Sequence, residues 1–353
     1  MSLPFSLDEI ARGEVPDRVL RATLRFGAAA ELGRHAAGGP DTEPARQRAL
    51  VAALRAGPIA VHEAAANQQH YALPPAFFEL WLGAHVKYSC GAWPDDTGDT
   101  AAARVKDLDR SERAMLELTI ARAGVADGMR ILDLGCGWGS FSLFAAARFP
   151  RAQIIGLSNS APQRVWLEAR AKARGLTNVR FVTANAVDWQ PDEARAFDRV
   201  ISVEMFEHLR NHEAMLARIA GWLAPAGRLF VHIFCHRTYA YLFTDGWMAD
   251  RFFTGGMMPS EYLLHEFQRD LRITDHWWLG GQHYQHTCEA WLARLDARRD
   301  DALAILAGTG LAPAAAAIAL AEWRVFLLAS AEAFGYRGGA EWGVAHYLFE
   351  GRD

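Results

Sequence analysis

The sequence predicts an α/β fold, a mostly parallel sheet with helices on both faces, and three observations carry that reading. Apolar, β-branched runs recur at ILDL, AQIIGLS, VRFVTA, DRVISVEMF and GRLFVHIF. A helical stretch separates each run from the next, as parallel strands require for their crossover connections. The first run ends in a glycine loop, Gly135-x-Gly137-x-Gly139, that leads directly into the helical pattern SFSLFAAARF. In chain order, residues 1 to about 65 read as helices, with Leu20, Leu24 and Leu32, then Leu50 and Leu54, at helical spacing. A Gly-Gly-Pro turn at 38–40 splits them. An aromatic, turn-rich segment follows at 70–96, and SERAMLELTIARAGV forms an amphipathic helix before the first strand. After His236 the regularity gives way to a mixed aromatic segment and an alanine-rich helical pair around Gly308-Thr309-Gly310 and Pro313. VAHYLFEG reads as a last strand.

Composition narrows the function. Lysine plus arginine (37) nearly balance aspartate plus glutamate (41), so no overall basic field draws the chain to nucleic acid or anionic lipid. Four cysteines without a C-x-x-C pair exclude a disulfide framework, a zinc finger and a thioredoxin-like motif. The N-terminus lacks a basic start followed by an apolar core, and the uncharged stretch Ala302–Ala321 is broken by glycines and Pro313. The expectation is a cytoplasmic protein without an integral membrane segment.

Glycines after a strand let the backbone turn sharply and approach a ligand, although a tight strand–helix turn alone would also use them. The dinucleotide fingerprint wants glycine or alanine where Ser140 stands, and an acid at the end of the second strand, where this chain has Gly156-Leu157-Ser158-Asn159-Ser160. NAD is therefore the second choice and S-adenosylmethionine the first.

ILDLGCGWGS followed by IIGLSNSAPQ resembles the S-adenosylmethionine-dependent methyltransferases of the cyclopropane-fatty-acid synthase superfamily, and within it the coclaurine N-methyltransferase-like branch. HYALPPAFFELWLG, KYSCGAW, VEMFEHLRN, CHRTYAY, TDHWWLGGQHY and FGYRGGAEW extend the resemblance over residues 67–353. It implies a Rossmann-like seven-stranded methyltransferase sheet with an antiparallel final strand, an N-terminal helical segment and a C-terminal helical, aromatic lid insertion. The expected divisions are 1–109 (helical segment and cofactor-covering turn), 110–235 (cofactor-binding core) and 236–353 (substrate lid). Residues 1–66 carry no motif. By the same resemblance Tyr88 and Ser89 border the methionine end of the cofactor. Asp133, Gly135 and Gly137 line its backbone side, and Ser158, Asn159 and Gln163 its ribose and adenosine side. Asn185 stands where relatives carry an acid for the adenine amino group, and its carbonyl can still accept that bond. S-adenosylhomocysteine is then the product.

Glu204, Glu207 and His208 cluster at the carboxyl end of the fourth strand, where open α/β sheets bind ligands. A histidine beside two carboxylates can act as a base toward an amine, whereas the same residues could simply open the next helix with a solvated acidic turn. The resemblance favours the first, because coclaurine-type enzymes hold and deprotonate an amine with the matching positions. The superfamily also contains a rival chemistry: cyclopropane synthases methylate a lipid alkene and use a bound bicarbonate as base. The residues that cradle that ion match Cys90, Glu207, His232 and Tyr284, with Phe234 where isoleucine is common, so bicarbonate is kept as a second candidate ligand. Glu204 departs from those enzymes, which usually have glycine there, and favours a cationic amine. The expected partner is a small-molecule amine, with unsaturated lipid as the alternative and a homodimer allowed. A catalytically lapsed cofactor binder is disfavoured by the intact Glu–Glu–His set.

Trp278, with Trp277 and Trp247, is expected to stack on an aromatic amine or to pack under the lid. His232, His236, His283 and His286 are read as hydrogen-bonded wall residues, with no metal site expected. Of 39 aromatics, 19 fall in 236–353, the segment expected to cover the substrate.

Overall fold

The computed structural model describes residues 4–39, 41–61, 73–244 and 246–352. The start of HYALPPAFFELWLG and Pro40 of the predicted turn lie outside them. The N-terminal elements are helices α1 (Leu7–Ala11), α2 (Asp17–Ala36), α3 (Glu43–Ala56), α4 (Pro75–Trp81) and α5 (Ala101–Ala123). The sheet unit then runs β1 (Arg130–Leu134), α6 (Ser140–Arg148), β2 (Gln153–Ser158), α7 (Ala161–Ala173), β3 (Val179–Thr183), β4 (Phe197–Val203), α8 (His212–Trp222) and β5 (Leu223–His236). The remainder comprises β6 (Tyr241–Leu242), α9 (Trp247–Phe252), β7 (Met257–Met258), β8 (Leu271–Gly280), α10 (Gln282–Ala297), α11 (Arg299–Gly308), α12 (Pro313–Phe334) and β9 (Trp342–Gly351).

Seven strands form one sheet in the order β3-β2-β1-β4-β5-β9-β8. The first five are parallel, and β9 inserts antiparallel between β5 and β8. This is the seven-stranded methyltransferase sheet with an antiparallel final strand that the sequence predicts. Its central strands are mostly apolar because both faces are covered, whereas the edge strands β3 and β8 carry exposed polar residues such as Arg180, Arg272 and Asp275. Alternate residues serve opposite faces: Ile131, Ile154, Ile201 and Phe230 pack with α5 and α6, while Leu132, Val200, Leu229 and Val231 pack with α8 and α3.

A third layer is helical and aromatic. Phe77, Phe78 and Trp81 of α4, Trp291 of α10 and Trp323 and Phe326 of α12 pack in a single cluster with α2. Several of these rings meet edge-on, including Trp81 with Trp291 at 5.4 Å. The alanine-rich stretch does split at Gly308–Pro313, but its second helix, α12, is 22 residues long. Among the described residues α12 is the one helix long and apolar enough to cross a membrane, and 56% of its most apolar window is buried inside the protein. Small side chains on α12 let α2 and α10 approach closely. Arg21 of α2 reaches Glu289 of α10 at 2.6 Å and Glu332 of α12 at 2.7 Å, and Arg25 also pairs with Glu332. This ion-pair clamp holds α2 across the carboxyl ends of the strands.

Candidate active site

Two spaces meet at the carboxyl edge of the sheet. The smaller, about 120 Å³, is a cleft lined by Gly135 and Gly137, by Ser158 and Asn159 at the end of β2, and by Asn185 after β3. Gly135 has φ +82°, and a Cβ there would meet Met205 Cγ at 2.7 Å. Gly137 has φ +51° and open space where a Cβ would be, so a ligand can lie against its backbone. The N–H groups of Gly135 and Cys136 donate to Leu157 O at 3.0 and 2.9 Å, which ties the loop to β2. Asn185 Oδ1 accepts from Val187 N at 3.0 Å and keeps a second lone pair for a ligand. Ala60 and Val61, ahead of α4, complete the rim.

The second space is a cavity of about 310 Å³ with mainly aromatic and aliphatic walls. Leu24, Ala28, Glu31 and His35 come from α2, Tyr241 and Phe243 from β6 and the segment after it, and Phe253 from the segment after α9. Tyr284, Cys288 and Trp291 come from α10, and Phe326 and Phe334 from α12. Tyr88 and Phe234 also face it. Glu204 and His208 line both spaces, and Glu207 lines the cavity.

Glu204 follows β4 with φ +48°, the left-handed region. Its N–H still donates to His232 O at 2.8 Å, so the chain leaves the sheet at this residue. A left-handed conformation costs a non-glycine residue about 1–3 kcal/mol and is kept where the side chain has work to do. Three donors converge on the carboxylate. Cys90 N–H reaches Oε1 at 2.9 Å, His232 Nε2 lies 3.2 Å from Oε1, and Tyr284 OH donates to Oε2 at 2.5 Å. Burial raises the Glu204 carboxyl above the usual range, against the opposing pull of Lys87 and these hydrogen bonds.

Glu207 and His208 belong to a separate 3₁₀ turn, Phe206–His208. They do not open the next helix, which starts at His212 and is capped by Asn211 through Ala214 N at 2.9 Å. Glu207 is 1% exposed, and among the described residues neither carboxyl oxygen has a hydrogen-bond partner. Burial, and then the Glu204 charge, push it well above the normal carboxylate range. Of the two neighbouring acids, Glu207 therefore holds its proton the more tightly. Burial lowers His208 to about 4, so the imidazole is neutral with a lone pair.

The segment carrying Tyr88–Cys90 is pinned from behind. Glu112 of α5 accepts Gly83 N–H and His85 N–H, each at 2.9 Å, and Gly91 N–H donates to Thr287 Oγ1 at 3.1 Å. The buried Lys87 Nζ donates to Ser89 Oγ at 2.5 Å and to Cys90 O at 2.7 Å. Burial raises the Cys90 thiol well above its ordinary value, so it is no nucleophile, and its backbone is what touches the site.

Several expected site residues act elsewhere. Asp133 is fully buried behind the glycine loop and accepts from Ser142 N and Oγ at 3.2 and 2.6 Å, so it braces α6 instead of lining the cleft. Burial raises it to about 7. Gln163 is likewise turned inward, with Oε1 accepting from Ser158 Oγ at 2.7 Å, and Ser89 is spent on Lys87. Trp278 is corrected outright: on β8 the pleat sends Trp277 and Trp278 to opposite sheet faces, where Arg122 and Arg237 cover them at 4.7 and 4.9 Å. Trp291 and Trp342 stand in the cavity wall instead, and Trp247 packs against Phe252. His236 Nδ1 accepts Thr238 and Tyr239 N–H, and His283 Nδ1 accepts Trp93 N–H. Among the described residues no group of three or more histidines, cysteines or acids could hold a metal ion. Sequence reasoning missed Lys87, the α2 wall and His346, although a histidine inside the apolar run VAHYLF is itself a signal.

The family described as mycolic acid cyclopropane synthetase matches residues 60–338. An (S)-coclaurine N-methyltransferase of Thalictrum flavum subsp. glaucum is 34% identical, over 98% of this chain and 94% of that one. A crystal structure of coclaurine N-methyltransferase with N-methylheliamine and S-adenosylhomocysteine superposes with a TM-score of 0.90 at 31% identity, covering 98% of each chain. The cyclopropane synthase MmaA2 of Mycobacterium tuberculosis shares the fold at a TM-score of 0.66 and 23% identity, over 82% of this chain and 98% of that one. The chain belongs to the mycolic acid cyclopropane synthetase family as an S-adenosylmethionine-dependent methyltransferase.

Proposed function

We propose that the methyl acceptor is a small amine, of the tetrahydroisoquinoline kind, held as its cation by Glu204 and deprotonated by Glu207. The observation that carries this reading is the Glu204 carboxylate at the seam between cleft and cavity. Cys90, His232 and Tyr284, three of the four residues that the resemblance assigns to a bicarbonate cradle, all donate to it. The protein's own anion takes up those three donors, so they are not open to a bicarbonate. A fixed carboxylate beside aromatic walls suits an ammonium group and disfavours an uncharged alkene. The cavity volume of about 310 Å³ falls at the small end of ligand pockets, which run from about 300 to 1,000 Å³. The names of the relatives, N-methyltransferases of coclaurine, support the same acceptor class.

The mechanism follows from the two acids. Gly135, Gly137, Ser158 and Asn159 would hold S-adenosylmethionine, which would supply an electrophilic methyl group with its own leaving group. Glu204 pairs with the ammonium, and the added positive charge lowers the Glu207 carboxyl, whose own proton passes to bulk water as the amine enters. Glu207, now ionised, takes the N–H proton from the ammonium and leaves the lone pair on nitrogen. His208 lines both spaces and orients the nitrogen toward the cleft with its neutral ring. Tyr88, Trp291 and Phe334 exclude water from the acceptor.

The test is transfer of a labelled methyl group to a panel of tetrahydroisoquinoline amines and unsaturated phospholipids. Label in the amines supports the reading. Label confined to lipid would overturn it.

A further inference from the structure

Behind Glu204 a line of hydrogen bonds crosses the sheet to its far face. His232 of β5 and His346 of β9 are direct cross-strand partners, both fully buried. His232 Nε2 lies 3.2 Å from Glu204 Oε1, His346 Nε2 lies 2.8 Å from His232 Nδ1, and Arg122 Nη1 of α5 lies 2.7 Å from His346 Nδ1. Guanidinium has donors and no acceptor, which sets the direction of the whole line. His346 Nδ1 must present a lone pair to Arg122, so its proton is on Nε2. That N–H donates to His232 Nδ1, so the His232 proton is also on Nε2 and points at Glu204. A protonated imidazolium at either site would turn an N–H against an N–H. Burial lowers both rings well below the usual histidine range, in agreement with this arrangement. Arg122 is brought down to about 10 by burial and remains a cation at neutral pH.

We propose that Arg122 and His346 are positioning residues that act through His232 to hold Glu204 as a hydrogen-bond-accepting anion. The inference rests on the reading of Glu204 as the amine's counter-ion. It explains how two coupled buried acids divide their roles. Glu204 accepts from the Cys90 N–H of the segment before α5, from His232 of β5 and from Tyr284 of α10, and the charge of Lys87 also favours its ionised form, with His208 and Glu207 on the turn that follows it. Among the described residues Glu207 has no hydrogen-bond partner. The line also cannot carry a proton away, because its far end has no lone pair to receive one. The amine's proton must therefore leave on the Glu207 side.

Nitrogen-15 spectra of the histidine-labelled full chain test the direction without any activity. Both His232 and His346 are expected as neutral Nε2–H tautomers from pH 6 to 9. An Nδ1–H tautomer or an imidazolium at either site would overturn the proposal. Arg122→Met should then give mixed tautomers and raise the carbon-13 titration midpoint of Glu204 by about one pH unit, roughly tenfold in proton affinity. Arg122→Lys, which restores a donor, should recover most of that shift. An unchanged Glu204 midpoint in a folded Arg122→Met protein would also overturn it. These readouts need no acceptor. Correct tautomers in a protein that methylates no amine would sink the amine reading alone, whereas wrong tautomers in an active amine methyltransferase would sink the relay alone.

Discussion

The cofactor cleft and the acceptor cavity share Glu204 and His208 and are otherwise built on opposite plans. The cleft is made chiefly by the turns that follow three adjacent strands, Gly135 and Gly137, Leu157–Asn159 and Ala184–Val187, small residues of mixed polarity. The cavity is mainly side chains, gathered from α2, the Tyr88 segment, β5, β6 and the segments beyond it, α10 and α12. A turn-made site changes only when its turns change, whereas a side-chain-made site can be respecified one residue at a time. One cofactor cleft can thus serve many acceptors, and chemistry is assigned where the two plans meet.

The largest break in this comparison is expected at that meeting point. Glu207→Gln keeps the size and removes the base, and should lower kcat/KM for amines by about 10²- to 10⁴-fold. S-adenosylhomocysteine affinity, read by calorimetry, should hardly move. On the cleft side Gly135→Ala forces a Cβ toward Met205 at 2.7 Å and a side chain into φ +82°. A cost of about 1–2 kcal/mol predicts a cofactor Kd roughly tenfold higher with amine KM little changed. The opposite split is expected from Arg21→Ala, which opens the clamp to Glu289 and Glu332. Half-buried and shared, that network is worth on the order of 1 kcal/mol, so amine KM should rise several-fold while cofactor binding stays constant.

The smallest effects are pH effects, and they differ between the two regions. Glu207 must be ionised to take a proton and is raised above the usual range, so kcat/KM should climb with pH through its midpoint. Asp133, behind the cleft, titrates at about 7 in the folded chain against an ordinary 3.8. The folded state binds that proton more tightly, so its stabilising contribution is full below about pH 4 and is lost as pH rises through about 7. Asp133→Asn should flatten the fall in Tm across that window while leaving the acid limb of kcat/KM unchanged.

The same contrast explains what could be read from the sequence. The sheet was legible because its strands are buried on both faces and appear as unbroken apolar runs. The glycine loop was legible because positive φ demands glycine at fixed positions. The Glu204–His208 turn was visible as a charged cluster after a strand. The cavity was not legible in this way. The α2 wall is Ala28, Glu31 and His35, a small, mixed stripe that becomes a surface only once α12 lies beside it. Trp278 went astray because a tryptophan pair near the end of a strand alternates between sheet faces and need not reach the edge. The family resemblance puts Asp133 and Gln163 at the ligand, yet each satisfies a buried partner behind the cleft.

The central claim is that Glu204 makes this methyltransferase site an amine site, and Glu204→Gly tests it most directly. Glycine accepts φ +48° without strain and removes the whole side chain, the carboxylate with it. Initial rates of labelled methyl transfer to a tetrahydroisoquinoline amine would be compared in the two proteins, with S-adenosylhomocysteine affinity measured beside them. Losing the counter-ion of a buried charge costs about 3–5 kcal/mol, so kcat/KM should fall roughly 10²- to 10³-fold at nearly constant cofactor affinity. Equal rates in the two proteins would contradict the account.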